Sequence, residues 1–143
     1  VIQRVSHAAV RVDRQTVGEI ARGLVVLLGI GKADTGDATD WMINKLLTLR
    51  IFPDDAGKMN RSVTDIAGGI LVVSQFTLYG DVQKGTRPSF SDAMPPAEAE
   101  KFYNEFMQKL RAATSRPVAE GRFAAMMDVE LVNDGPVTII LER

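Results

Sequence analysis

The chain has no cysteine and a single histidine, His7, among its 143 residues. Without cysteine there is no disulfide framework, no thiolate nucleophile and no thiolate metal site. A Ser-His-Asp triad would have to use His7, and an imidazole zinc site would lack further ligands, so both are disfavoured. Net charge is also scarce, because 17 Lys and Arg against 18 Asp and Glu leave −1. Gripping long nucleic acid by neutralising many phosphates wants a strongly basic surface, which leaves room here only for a small local contact. No apolar run reaches the roughly 18 residues of a membrane-spanning helix, and no charged-then-apolar leader precedes the first strand. A cytoplasmic protein with no membrane partner is the expectation. The chain opens on Val1 rather than Met, so a few further residues are expected ahead of it.

What is present is ordinary globular usage, 45% hydrophobic and 24% charged, which fits one domain over residues 1–143 with one core. Ala8, Val10 and Val12 alternate with His7, Ala9 and Arg11 before a polar Asp13-Arg14-Gln15 turn, the pattern of a hairpin. "GLVVLLGIG", Gly23 to Gly31, is a continuous apolar run and predicts a central strand covered on both faces. Met42, Ile43, Leu46, Leu47 and Leu49 then fall at helical spacing, predicting a helix over about 38–50 with Thr35, Asp37 or Thr39 as its cap. "IFPDDAGKMNRSVTDIAGG" is turn chemistry throughout and predicts a long connection. Pro95 and Pro96 suit the entry to a second helix, where Phe102, Phe106 and Leu110 recur every fourth residue as far as about Ala113. "RFAAMMDVELVN" and "GPVTIILE" predict two closing strands, with Ala125, Met127, Val129 and Leu131 on one face of the first. The fold class is α+β, a curved and mainly antiparallel barrel-like sheet with two helices.

Three stretches carry candidate chemistry. In "LVVSQFTLYG" a buried strand acquires Ser74, Gln75 and Thr77, and unpaired polar groups at such a place cost roughly 1–3 kcal/mol each. In an ideal strand Ser74 shares a face with Phe76, while Gln75 and Thr77 take the other, so a bend near Thr77 is needed to bring all three into one pocket. Alternatively, they are strand-edge residues bonded to neighbouring backbone. In "NDGPVT" a tight turn is the plain reading. The sharper one is a cis Gly135-Pro136 bond, since X-Pro is the bond type that adopts cis at modest expense, presenting two carbonyls as a rigid backbone probe. In "GDVQKGTRPSF" Lys84, Arg87 and glycine-exposed N–H groups suit a phosphate or ribose, and Phe90 suits stacking on a base, although such loops are commonly just solvated.

Taken together, "IQRV", "RIFPDDAGKMN", "VVSQFTLYGDVQKGTRPSF" and "GRFAAMMDVELVNDGPVT" resemble the D-aminoacyl-tRNA deacylase family over nearly the whole chain. The family signatures Ser-Gln-x-Thr and Asn-x-Gly-Pro-x-Thr stand intact as Ser74, Gln75, Thr77 and as Asn133, Gly135, Pro136, Thr138. The resemblance implies a homodimer with its active sites at the subunit interface, where the cis Gly135-Pro136 of one subunit enters the site of the other. It implies hydrolysis of the ester between a D-amino acid, or glycine, and the terminal adenosine of tRNA, with L-aminoacyl groups rejected by the Gly-Pro carbonyls. On the same resemblance Ser74, Gln75 and Thr77 position the substrate, main-chain groups near Phe90 meet the adenosine, and Arg4, Asn133 and Thr138 brace the Gly-Pro tip. Thr77 as nucleophile is doubtful for want of a base, and assistance by the adenosine's own 2′-OH is implied instead. No cofactor and no metal are implied. Two rival readings are a generic serine or threonine esterase using Ser74 or Thr77, and an RNA-end binding module without turnover.

Overall fold

The long strand β1 (Ile2–Val12) organises the sheet. β2 (Gln15–Ile20) and β3 (Gly23–Leu28) both run antiparallel to it, with Ala8 opposite Ile20 and Val5 opposite Gly23. That register is continuous, so β2 and β3 are successive parts of one hairpin arm interrupted at Ala21-Arg22. The hairpin turn sits on Asp13 and Arg14, whose φ of 50° and 64° are the left-handed values that a tight two-residue connection requires. This computed structural model describes all of Val1–Arg143.

Beyond β3 the sheet continues in parallel. β6 (Gly69–Ser74) pairs with β3, and β7 (Val118–Glu120) pairs with β6. Parallel neighbours need crossover connections, and helices α1 (Gly36–Thr48) and α2 (Pro96–Ala113) lie within them. β8 (Asp128–Ile139) flanks β1 on its other edge, antiparallel. The sheet curls until β7 meets β2, where a Cβ on Gly18 would lie 2.4 Å from the Glu120 carbonyl oxygen. Backbone approaches backbone there only because Gly18 has no side chain. The result is the expected α+β architecture, a nearly closed barrel with two helices, antiparallel around β1 and parallel from β3 to β7.

Alternation along the central strands explains the uninterrupted apolar run. Leu24 and Val26 face the helices, in the core that holds Leu46, Phe106 and Leu110, whereas Val25 faces the barrel interior with Val10 and Leu71. Each such side chain contributes roughly 1.5–3 kcal/mol by leaving water. Helix α2 matches its expected span, while α1 begins two residues early, after Thr35, whose side chain makes no capping bond.

Three expectations need correction. The strand predicted over Gly23–Gly31 ends at Leu28, and Gly31 instead forms an isolated bridge with Ala93. The long connection after Ile51 contains a small hairpin, β4 (Phe52–Pro53) with β5 (Met59–Arg61). Finally, the two predicted closing strands are a single strand, β8, and its expected first half over residues 122–127 is a loop. Asn133-Asp134-Gly135-Pro136 is therefore not a reversing turn. Gln3 opposes Thr138 and Val5 opposes Asn133, so Asp134–Val137 bulges out against Arg4 alone.

The β4–β5 hairpin is held by Asp54, whose carboxylate accepts bonds from Ala56 N and Lys58 N, both at 2.9 Å, and from Asn60 Nδ2 at 2.7 Å. The Asn60 bond first, and then the Lys58 N–H, hold this carboxyl below its ordinary value. Asp65 is likewise lowered, by the backbone and side-chain bonds it accepts from Ser62. A depressed folded-state value contributes stability above the unfolded pKa, near 4, that is lost as pH falls through the folded one. The melting temperature should therefore hold from neutral pH down to about pH 5 and decline below about pH 4. Asp54→Asn should make that decline shallower in acid melts, and an unaltered acid limb would exclude the hairpin as a contributor.

Candidate active site

β3 and β6 end side by side, with Leu28 opposite Ser74. There the chain stops being a strand. Gln75 N donates to Leu28 O at 2.8 Å, and Phe76–Tyr79 forms one turn of 3-10 helix. Strand alternation thus no longer governs the polar residues, and the helical turn supplies the bend that their convergence requires. Ser74, Gln75 and Thr77 all line one cleft of about 790 Å³.

The cleft lies between these strand ends, the start of α2 around Pro95 and Ala99, and the loop Phe123–Met127. Phe90 is on its wall, edge-on to Phe76 with ring centroids 5.0 Å apart. Of its 19 lining residues 14 are hydrophobic and none carries an ionisable side chain. The polar groups are Ser74, Gln75 and Thr77 together with backbone. Gln75 Nε2 donates to Thr77 Oγ1. That contact occupies an oxygen lone pair, which is the reverse of what a base does to a nucleophile. His7 offers no help, since it lies on β1 outside the cleft with Nε2 3.9 Å from Glu130. Arg11 holds Glu130 more tightly, at 2.7 Å, and this bond keeps the Glu130 carboxyl below the usual range.

The second signature lies elsewhere on the chain. Gly135 and Pro136 are joined by a cis peptide bond and do not line the cleft of their own chain. Arg4, buried to 9% exposure, underlies the bulge. Its Nε donates to Asp134 O at 2.9 Å and its Nη1 to Ile51 O at 2.6 Å, tying the tip to the base of the β4–β5 hairpin. The Asp134 carboxylate lies 3.4 Å from the same Nε. Thr138 Oγ1 donates to Gln3 Oε1 at the far end of the bulge, and Asn133 closes the near end through its register with Val5.

Sequence reasoning missed the other half of the cleft. Phe76, Met94, Phe123 and Met126 line it, and Met126 is 92% exposed at its mouth. The Met126-Met127 pair was legible as apolar, but a loop has no period to show which way its residues point. A smaller cavity of about 420 Å³, beneath α1 and the C-terminal residues, contains none of the signature residues.

An α+β barrel carrying a neutral, largely apolar cleft with a short polar edge defines a class of site that places a ligand rather than one built on an activated side chain. Residues 1–142 match the D-Tyr-tRNA(Tyr) deacylase family, and the chain belongs to that family. A D-aminoacyl-tRNA deacylase of Opitutus terrae is 56% identical over 142 residues, covering 99% of this chain and 95% of that protein. Among solved structures, the c-Myc DNA Unwinding Element Binding Protein superposes with TM-score 0.94 at 46% identity, over 99% of this chain and 96% of that one. A probable eukaryotic D-amino acid tRNA deacylase shares the fold, with TM-score 0.79 at 19% identity over 94% and 93% of the two chains. No helix is long and apolar enough to cross a membrane.

Proposed function

We propose that the protein hydrolyses the ester joining a D-amino acid, or glycine, to the 3′-terminal adenosine of tRNA, and spares L-aminoacyl esters. The observation that carries this reading, beside family membership, is the cleft without an ionisable group. Water adds to the ester carbonyl and the bond to the ribose oxygen breaks. That oxygen keeps the electron pair and gains a proton, and the amino acid leaves as its carboxylate with release of one proton. The adenosine's neighbouring 2′-OH relays the proton, while Ser74, Gln75, Thr77 and the backbone at the strand end hold the ester in place. Phe90 and Phe76 offer an aromatic wall to the adenine.

Chirality is read by a second copy of the chain. Gly135 and Pro136 stand on a bulge away from their own cleft, and the outer edge of β8 is unpaired within the protomer. An exposed twelve-residue edge strand invites a partner. In the dimer the two carbonyls at the tip fix the substrate's amino group and Cα, so that an L side chain meets backbone and a D side chain points outward. Selection by exclusion accepts many D side chains and glycine alike. Such a substrate places the enzyme in the cytoplasm. Binding to a DNA unwinding element, named for the structural relative above, finds little support in a net charge of −1.

The test compares D-tyrosyl-, L-tyrosyl- and glycyl-tRNA in a deacylation assay. Release from the D and glycyl esters with the L ester intact is expected. Equal release from D and L would favour a generic esterase, and binding without release an RNA-end module. In the same assay Thr77→Ala should retain activity within about tenfold, because it removes a positioning contact, whereas loss of a true nucleophile typically costs 10⁴-fold or more.

A further inference from the structure

The neutral cleft suits an ester, a ribose and a base, and offers nothing to the phosphates that precede the terminal adenosine. Those phosphates must leave across its rim. On the rim next to Phe90, Asp81 and Ser89 exchange two backbone hydrogen bonds of 2.8 and 2.9 Å and close the neck of the loop Val82–Pro88. The neck is fixed to the cleft wall, since a Cβ on Gly80 would lie 3.2 Å from the Phe90 ring. The acid at the neck, Asp81, is exposed and its Oδ1 accepts from Gln83 N at 2.8 Å. Lys84 and Arg87 are exposed and belong to none of the ion pairs of the chain. Nearby Lys32 is already taken by Asp92 at 3.3 Å. The opposite rim has one unpaired cation, Arg122, followed by the acids Asp128 and Glu130. Arg87 is three residues from Phe90, at most about 10 Å of chain, and its side chain adds further reach.

We propose that the loop Val82–Pro88 is the subsite for the backbone phosphates of the single-stranded acceptor end, with Lys84 and Arg87 as its positioning cations. This rests on the deacylase reading and adds to it the side from which the RNA strand approaches. Arg87 matches a phosphate with its planar fork and Lys84 as a point charge. Both place exposed positive charge beside a cleft whose lining carries none, so the contribution is sensitive to salt.

The experiment uses two esters of one D-amino acid, D-tyrosyl-tRNA and 3′-O-D-tyrosyl adenosine, which has no phosphate. For a Lys84→Gln/Arg87→Gln double variant, kcat/KM on the tRNA ester should fall about tenfold relative to that on the adenosine ester at low salt. The slope of log kcat/KM against log salt for the tRNA ester should become shallower by about 1.4, or 0.7 per lost phosphate contact on a single strand. Lys45→Gln, on α1, should leave both the ratio and the slope as in the wild type. An unchanged ratio and slope, or equal losses on the two esters, would overturn the subsite. A wild-type protein that releases amino acid from neither ester would instead count against the deacylase reading itself.

Discussion

Gly135→Ala should lower kcat/KM for a D-aminoacyl-tRNA by about a hundredfold, the usual consequence of displacing a positioning group by an ångström. The residue has φ +131°, where L side chains are rarely found, and a Cβ there would come within 3.0 Å of both Arg4 Nη2 and Val137 Cγ2. An alanine must therefore shift the bulge or push Arg4 from beneath it. Strain of this kind amounts to about 1–3 kcal/mol, too little to unfold a barrel with two well-filled core faces. Circular dichroism should show a folded protein while the deacylation assay registers the loss. A folded Gly135→Ala protein with wild-type kcat/KM and wild-type rejection of L-aminoacyl-tRNA would remove the tip from the site.

Arg4→Met is expected to lower the melting temperature by about 5–10 °C, from a loss of about 2–3 kcal/mol. Methionine keeps much of the aliphatic stem but returns neither of the guanidinium bonds, to Asp134 O and to Ile51 O. Two carbonyls at a buried position then lose a charged donor, which is worth more than a neutral one. The bulge also loses its floor, so discrimination between D- and L-aminoacyl-tRNA should narrow along with stability. Arg4→Lys separates the two effects, because a single ammonium cannot span both carbonyls in the geometry of the fork. It should recover part of the melting temperature and little of the discrimination. If Arg4→Met melts like the wild type, the two bonds do not carry the bulge.

The structure also bears on why Thr77 is a poor candidate for attack. Its oxygen already accepts from Gln75, and no carboxylate, imidazole or amine faces it across the cleft. A cleft of this kind suits the proposed reading, in which fixed dipoles hold the ester beside the vicinal hydroxyl of the adenosine.

The sequence by itself determined the α+β class, the two helices, the hairpin and the central strand, because each is written in a local period and in punctuation by proline, glycine and polar turns. It also excluded cysteine chemistry within the chain and disfavoured a triad or zinc site built on the single His7. The residues of both signatures were legible through resemblance, but their arrangement was not. That Ser74, Gln75 and Thr77 converge was decided by a 3-10 turn, which forms where β6 runs out of a neighbour beyond Leu28. That Asp134–Val137 bulges, with no reversal of the chain, was decided by β1, which pairs with β8 on both sides of it and leaves Arg4 beneath. Turn-forming residues have the same local preferences in either setting. Only hydrogen bonding to a strand more than a hundred residues away fixes which one the chain adopts, and a pattern read along the sequence does not contain that pairing.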